Sequence, residues 1–310
     1  MALHRLLGIE IGAPDPAHLD AFYQEIGFTG GDGTWGAEDQ PGQIRVVDAP
    51  YRQLRRVRVG CESEADLDAA AARLERLGLS SRLSGGELRL VDPHNGWEFV
   101  VEPCAPYDVP ATPKRFVNRP GERARIGQRA EVLVEAKPRP PRRLGHVVVG
   151  TPKPIETIQL VTEGLGFRVS DTVAGGIGAF LRCSPDHHNL LVAPGPVPYL
   201  NHYALEHDDF DAVTRAASVY LREHGDDVQI SGPGRHPIGG NVFWYLRDPS
   251  GTFFEYFADM DRIVDDAAWK IEDWGVEGTW SIFGDGVQPE VFFAPDDMDE
   301  IVAGWNRAQT

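Results

Sequence analysis

Six residues in the second half of the chain, His146, His187, His202, His236, Tyr245 and Glu255, are of the types that bind a divalent metal or move protons beside one. Two imidazoles and a carboxylate, taken from His146, His202 and Glu255, would cover one face of an octahedral ion. The opposite face would stay open, which suits non-haem Fe(II) chemistry with a substrate and O2 bound together. Mn(II) would fit the same set without a change of ligand type.

Extended segments must position these side chains. His146 lies in LGHVVVG, a β-branched apolar run flanked by glycine, and His202 in the extended segment YLNHYALE. Glu255 lies in DPSGTFFEYF, where Asp-Pro-Ser-Gly signals a turn and the aromatic run after it a strand. Side chains alternate along a strand, so one inward position on each of three strands can serve a shared cavity. Taken alone, His146 also reads as a hydrogen-bonded core histidine, and Glu255 as a position on an exposed face. A carboxylate between Phe254 and Tyr256 is the harder of the two to explain without a partner, because charges are rarely buried unpaired.

The order His146, HHNLLV, LNHYAL, GRHP and FWYLRDPSGTFFEYF resembles the catalytic half of the two-domain type I extradiol catechol dioxygenases of the vicinal oxygen chelate superfamily. By that resemblance His146, His202 and Glu255 bind Fe(II). His187, fifteen residues before His202, handles a proton during O–O cleavage. His236 and Tyr245, nineteen and ten residues before Glu255, hydrogen-bond the substrate oxygens. The resemblance implies a catecholic substrate opened next to its diol with O2 to a semialdehyde-type product, in aromatic catabolism, by a homo-oligomer. The pair His187-His188 offers two candidates whose rings would face opposite sides of a strand. His187 is the expected one, with His188 a surface or hydrogen-bonded residue.

Homoprotocatechuate-type relatives share GPGRHP but place an arginine just before it, where this chain has Ser231. That departure points to a neutral or apolar catechol, biaryl or fused-ring. Phe243, Trp244 and the segment EDWGVEGTWSIFGDG are candidates to line or cover the pocket, or else packing aromatics. Two other classes compete: a glyoxalase-like metal-dependent isomerase or lyase, which needs no O2, and a metal-free ligand-binding protein of the bleomycin-resistance kind, which lacks the triad.

The remaining sequence frames that site. The 310 residues, 42% hydrophobic, suffice for two domains with real cores. LGIEIGAPDPAHLDAFYQEIGF resembles LGHVVVGTPKPIETIQLVTEGLGF, and LRRVRVGCESEADLDAAAARLERLG resembles LNHYALEHDDFDAVTRAASVYLREHG. The reading is an α+β fold of four tandem βαβββ modules in two domains. A metal-free pair spans 1–105, a Pro-rich basic linker 106–141, a catalytic pair 142–260, and a tail that covers the active site 261–310. In the first half, Ile9 and Phe99 stand where His146 and Glu255 do, and Arg56 falls near the place of His202, so no metal is expected there. His4, His18 and His94 read as surface or turn residues, and Asp259, Asp261, Asp265 and Asp266 as a solvated acidic stretch.

A net charge of −17 argues against nucleic acid, whose phosphates need clustered cations. Lacking an export signal and an apolar run of membrane-spanning length, the chain is expected in the cytoplasm and off the membrane. Its three scattered cysteines, Cys61, Cys104 and Cys183, suit a reducing compartment.

Overall fold

Alternating apolar runs punctuated by glycine turns build the same unit four times. The computed structural model describes residues 2–37, 40–112, 116–130, 138–275, 278–284 and 286–309. The first unit is β1 (Leu3–Ala13), α1 (Pro16–Glu25), β2 (Thr29–Gly31), β3 (Thr34–Ala37) and β4 (Gln40–Asp48). The second is β5 (Gln53–Cys61), α2 (Glu64–Arg76), β6 (Arg82–Ser84), β7 (Glu87–Val91) and β8 (Glu98–Pro103). After the connecting segment come β9 (Arg143–Thr151), α3 (Pro154–Gln159), β10 (Arg168–Val173), β11 (Gly178–Arg182) and β12 (Leu190–Pro194). The fourth unit is β13 (Tyr199–Glu206), α4 (Phe210–His224), β14 (Gln229–Arg235), β15 (Val242–Arg247) and β16 (Phe253–Ala258). A tail follows with β17 (Asp273–Trp274), α5 (Glu290–Phe293) and α6 (Met298–Ala308).

The chain is an α+β protein of four βαβββ modules. They form two sheets, ordered β2-β3-β4-β1-β5-β8-β7-β6 and β14-β15-β16-β13-β9-β12-β11-β10-β17. In each sheet two modules join through their first strands, antiparallel as β1 with β5 and β9 with β13. Within each module the last strand returns parallel to the first, as β16 does to β13. Helix ends follow local chemistry. Ser63 and Asp66 close a capping box on α2, and Asp209 accepts the Ala212 amide at 2.8 Å to start α4.

One face of the second sheet packs on helices. Phe254 and Tyr256 of β16 and Tyr203 of β13 are fully buried there, in a core cluster that continues into the first half. Phe22 and Tyr23 of α1 make that junction, with Phe22 centred 5.0 Å from Phe254 and Tyr23 6.3 Å from Tyr203. Burying a ring of that size stabilises by roughly 1.5–3 kcal/mol. The opposite face is left to hold polar side chains.

The sheet registers show which residues of the first half stand at the ligand positions. His146 lies opposite Ala204, which lies opposite Glu255. The matching row in the first sheet is Ile9, Val57 and Phe99. His202 pairs with Val148, and the equivalent residue Ile11 pairs with Leu54, so Leu54 and not Arg56 is the counterpart of His202. A bulge in β5 at Arg55, between the pairs Glu10–Arg56 and Ile11–Leu54, displaces the sequence alignment there. Arg56 turns instead to ion pairs with Glu10 and Glu98. Ile9, Leu54 and Phe99 are all buried, and none can donate to a metal.

His18 and His94 are exposed, as expected, but His4 is half-buried with Nε2 3.0 Å from the Cys104 carbonyl. The acidic stretch is exposed yet paired in part, Asp259 with Arg235 and Asp266 with Arg182. Of the connecting segment, residues 113–115 and 131–137 lie outside the described residues, as do 276, 277 and 285 of the tail. No helix among the described residues is long and apolar enough to cross a membrane.

Candidate active site

Four adjacent strands, β9, β13, β16 and β15, carry the row His146, Ala204, Glu255 and Tyr245 in direct register. His202, two residues before Ala204, shares its face. Ala204 is the smallest member of the row, and over it the flanking side chains meet, with His146 Nε2 2.9 Å from Glu255 Oε2. His202 Nε2 lies 3.5 Å from the same oxygen. One donor atom from each of His146, His202 and Glu255 falls within 4.8 Å of the others, and all three residues are buried.

Hydrogen bonds fix how each ligand points. The Asn201 amide donates to the Phe292 carbonyl at 2.7 Å, so its Oδ1 is free to accept from His202 Nδ1–H at 2.8 Å. His202 Nε2 is thereby a bare nitrogen, and it has no hydrogen-bond partner. Asn241 Nδ2 donates to Glu255 Oε1 at 2.9 Å and leaves Oε2 facing the two imidazoles. Burial pushes the His146 imidazole down to about 3 and that of His202 to about 4, the latter against the pull of Glu255. Neutral imidazoles, one bare nitrogen without a partner and a carboxylate oxygen between them fit a divalent cation.

His236 and Tyr245 stand beside this group. His236 Nδ1–H donates to the Trp280 carbonyl at 2.6 Å, so its Nε2 accepts from the Tyr245 hydroxyl at 2.9 Å. Burial, and then the nearby Glu255 charge, raise the Tyr245 hydroxyl well above its ordinary value and keep it a donor. Phe243 stacks on the His236 ring at 4.0 Å.

The histidine pair departs from expectation. Residues 187 and 188 lie in the loop between β11 and β12 rather than on a strand, and the loop sends His188 to the cavity wall. The His188 ring is centred 4.3 Å from that of His146, and burial holds it neutral. His187 turns away, fully buried, with Nε2 3.3 Å from Asp171.

The cavity above these groups has a volume of about 440 Å³. Its walls include Val148, Phe180, Leu191 and Ile238, and from the tail Trp280, Phe292 and Phe293. Neither lysine nor arginine lines it among the described residues. Trp244 is not on the wall. Ser231 is buried behind it and accepts from Trp280 Nε1 at 3.4 Å. Sequence reasoning missed Asn201, Asn241, Asp171 and Ala204. For Asn201 the one local signal was its place next to His202.

Residues 143–256 match the model of the Glyoxalase/Bleomycin resistance protein/Dioxygenase superfamily. That stretch of the second half is a domain of this superfamily. Metapyrocatechase 2 of Cupriavidus necator is 29% identical over 309 residues, covering 94% of this chain and 92% of the relative. A manganese-dependent 2,3-dihydroxybiphenyl 1,2-dioxygenase of Geobacillus genomosp. 3 is 34% identical over 145 residues, 43% of this chain and 44% of the relative. In fold, the chain is similar to the Mn(II)-bound glyoxalase from Novosphingobium aromaticivorans, with TM-score 0.71, 24% identity and 94% of each chain covered.

Proposed function

We propose that this chain is an Fe(II)-dependent extradiol dioxygenase that opens a neutral, apolar-substituted catechol next to its diol, adding both atoms of O2 to give a semialdehyde-type product. The observation that carries the reading is the convergence of His146, His202 and Glu255 at one end of an apolar cavity also lined by His188, His236 and Tyr245. When bound, the metal supplies Lewis acidity toward the diol and a site for O2. The ligand set accepts Mn(II) as readily, and one relative is named for its manganese dependence.

The side chains divide the remaining work. His188, neutral and on the wall beside His146, takes a proton from the diol and returns one during ring opening; this role passes to it from His187, which does not reach the cavity. The Tyr245 hydroxyl donates to a substrate oxygen and favours its anionic form, while the bare His236 Nε2 accepts from the diol hydroxyl that keeps its proton. The apolar walls exclude water and select substrates without charge. A carboxylated catechol would meet neither lysine nor arginine among the described residues there, which agrees with serine at position 231.

Protein purified without oxygen and loaded with Fe(II) should turn a bulky neutral catechol yellow while consuming one O2 per ring opened. A second reading, a metal-dependent isomerase or lyase, draws on the fold shared with a Mn(II)-bound glyoxalase. Protein that retains iron but leaves a panel of catechols colourless would favour it.

A further inference from the structure

Asp171, His187 and His188 form a buried hydrogen-bonded line that ends at the cavity, and two of its members have no part in the roles above. The Asp171 carboxyl takes the Glu272 backbone N–H on Oδ1 at 2.9 Å and the Trp274 indole N–H on Oδ2 at 2.9 Å. Both are groups that can only donate, so the carboxyl accepts on both oxygens. Burial raises its affinity for a proton, but the bonds from His187, Glu272 and Trp274 outweigh that and hold it below the ordinary carboxylate range.

That arrangement dictates where the next protons sit. His187 Nε2, 3.3 Å from Asp171 Oδ2, must carry hydrogen, and a neutral imidazole then has a bare Nδ1. His187 Nδ1 faces His188 Nδ1 at 3.1 Å. Two bare nitrogens would repel at that distance, so His188 Nδ1 carries the hydrogen and donates it. The His187 ring is gripped by Trp269 and Phe180, centred 5.5 and 5.7 Å away, and by Gly239, where φ of +76° and an ideal Cβ only 3.1 Å from His187 Nδ1 both call for glycine.

We propose that Asp171 and His187 are positioning residues that lock His188 in its Nδ1–H tautomer, leaving Nε2 as the bare nitrogen offered to the substrate diol. The substrate part rests on the function proposed above; the tautomer does not. The tail takes part, since Glu272 and Trp274 flank Asp273 at β17 and reach Asp171 from about a hundred residues away.

The test is histidine-selective 15N NMR of the full chain, metal-free and loaded with diamagnetic Zn(II), with His188 assigned from the resonances lost in His188→Gln. Wild type should show His188 with a protonated Nδ1 and a bare Nε2. In Asp171→Asn the amide presents a donor among donors, so His188 should populate the other tautomer. That variant should lose about 10- to 100-fold in kcat toward a cleaved catechol while keeping KM and metal content. A protonated His188 Nε2 in wild type, as a doubly protonated His187 would impose, overturns the proposal, and so does a tautomer unmoved by Asp171→Asn. Because the wild-type spectrum alone decides the first point, a variant that fails to fold does not rescue it. Should the tautomer be as stated while every catechol stays intact, the proposed function fails and this assignment stands.

Discussion

Replacing Arg52 by methionine should loosen a metal ligand that lies in the other half of the chain. Arg52 is 3% exposed; its guanidinium binds Asp297 through Nε and through Nη2 at 2.7 Å, and Nη1 donates to the Leu200 carbonyl at 2.7 Å. The tail segment so fixed includes Phe292, whose carbonyl holds Asn201, which in turn orients His202. Asp297 is 25% exposed and can recover water, so its loss costs about 1 kcal/mol, near the upper end for exposed pairs. Leaving the buried Leu200 carbonyl without its donor adds roughly 1–3 kcal/mol. The sum, about 3 kcal/mol, falls on docking of the tail and not on the sheets, because Arg52 is a tie between them. Hydrogen exchange in α5 and α6 should therefore quicken about 100-fold at 1.4 kcal/mol per factor of ten, with α2 unaffected. Mn(II) affinity, measured by titration of the metal-free protein, should fall about 10- to 100-fold. Unchanged exchange over residues 290–308 would refute the tie, and faster exchange with unchanged Mn(II) affinity would refute its link to His202.

Three further outcomes are expected. Ala204→Leu puts a branched side chain between His146 and Glu255, and metal content after gel filtration should drop to background while far-UV circular dichroism is retained. Glu255→Gln should weaken Mn(II) binding by more than about 100-fold, whereas Asn241→Ala, which removes only the bond to Glu255 Oε1, should weaken it about 10-fold; equal losses would contradict the ligand assignment. His207 is buried without a partner on either ring nitrogen, and burial alone pushes it down to about 3. Its folded value lies below the unfolded value of about 6.5, so the unfolded chain takes the proton first; stability is full above that pH and lost as pH falls toward 3. At pH 5 the loss is about 2 kcal/mol, and urea denaturation of His207→Leu against wild type should show the variant gaining that much between pH 8 and pH 5.

What the sequence revealed of this site depended on whether one strand could carry the message. His146 and Glu255 were legible because each is the lone chemical residue in an apolar run, and alternation alone sends Glu255 away from the face that buries Phe254 and Tyr256. The module repeat was legible for the same reason, down to Ile9 and Phe99 replacing the ligands. Alternation says nothing about a loop, and His187 and His188 lie in one, so which ring faces the cavity depends on what His187 packs against, Asp171 on β10 and Trp269 and Gly239 from elsewhere in the chain. A bulge likewise hid Leu54 behind Arg56.

The supporting polar groups were illegible because they are paired over long separations: Asn201 with Phe292, Arg52 with Asp297, Asp171 with Trp274. Each of these joins the tail to a module, and two of the three lead to a histidine facing the cavity. Ile9, Leu54 and Phe99 stand at the ligand positions of the first half, yet its Arg52 anchors the tail that orients His202. The first half and a helical tail thus take part in the geometry of a site formed by four strands, although the described residues that line the cavity all fall between His146 and Phe293.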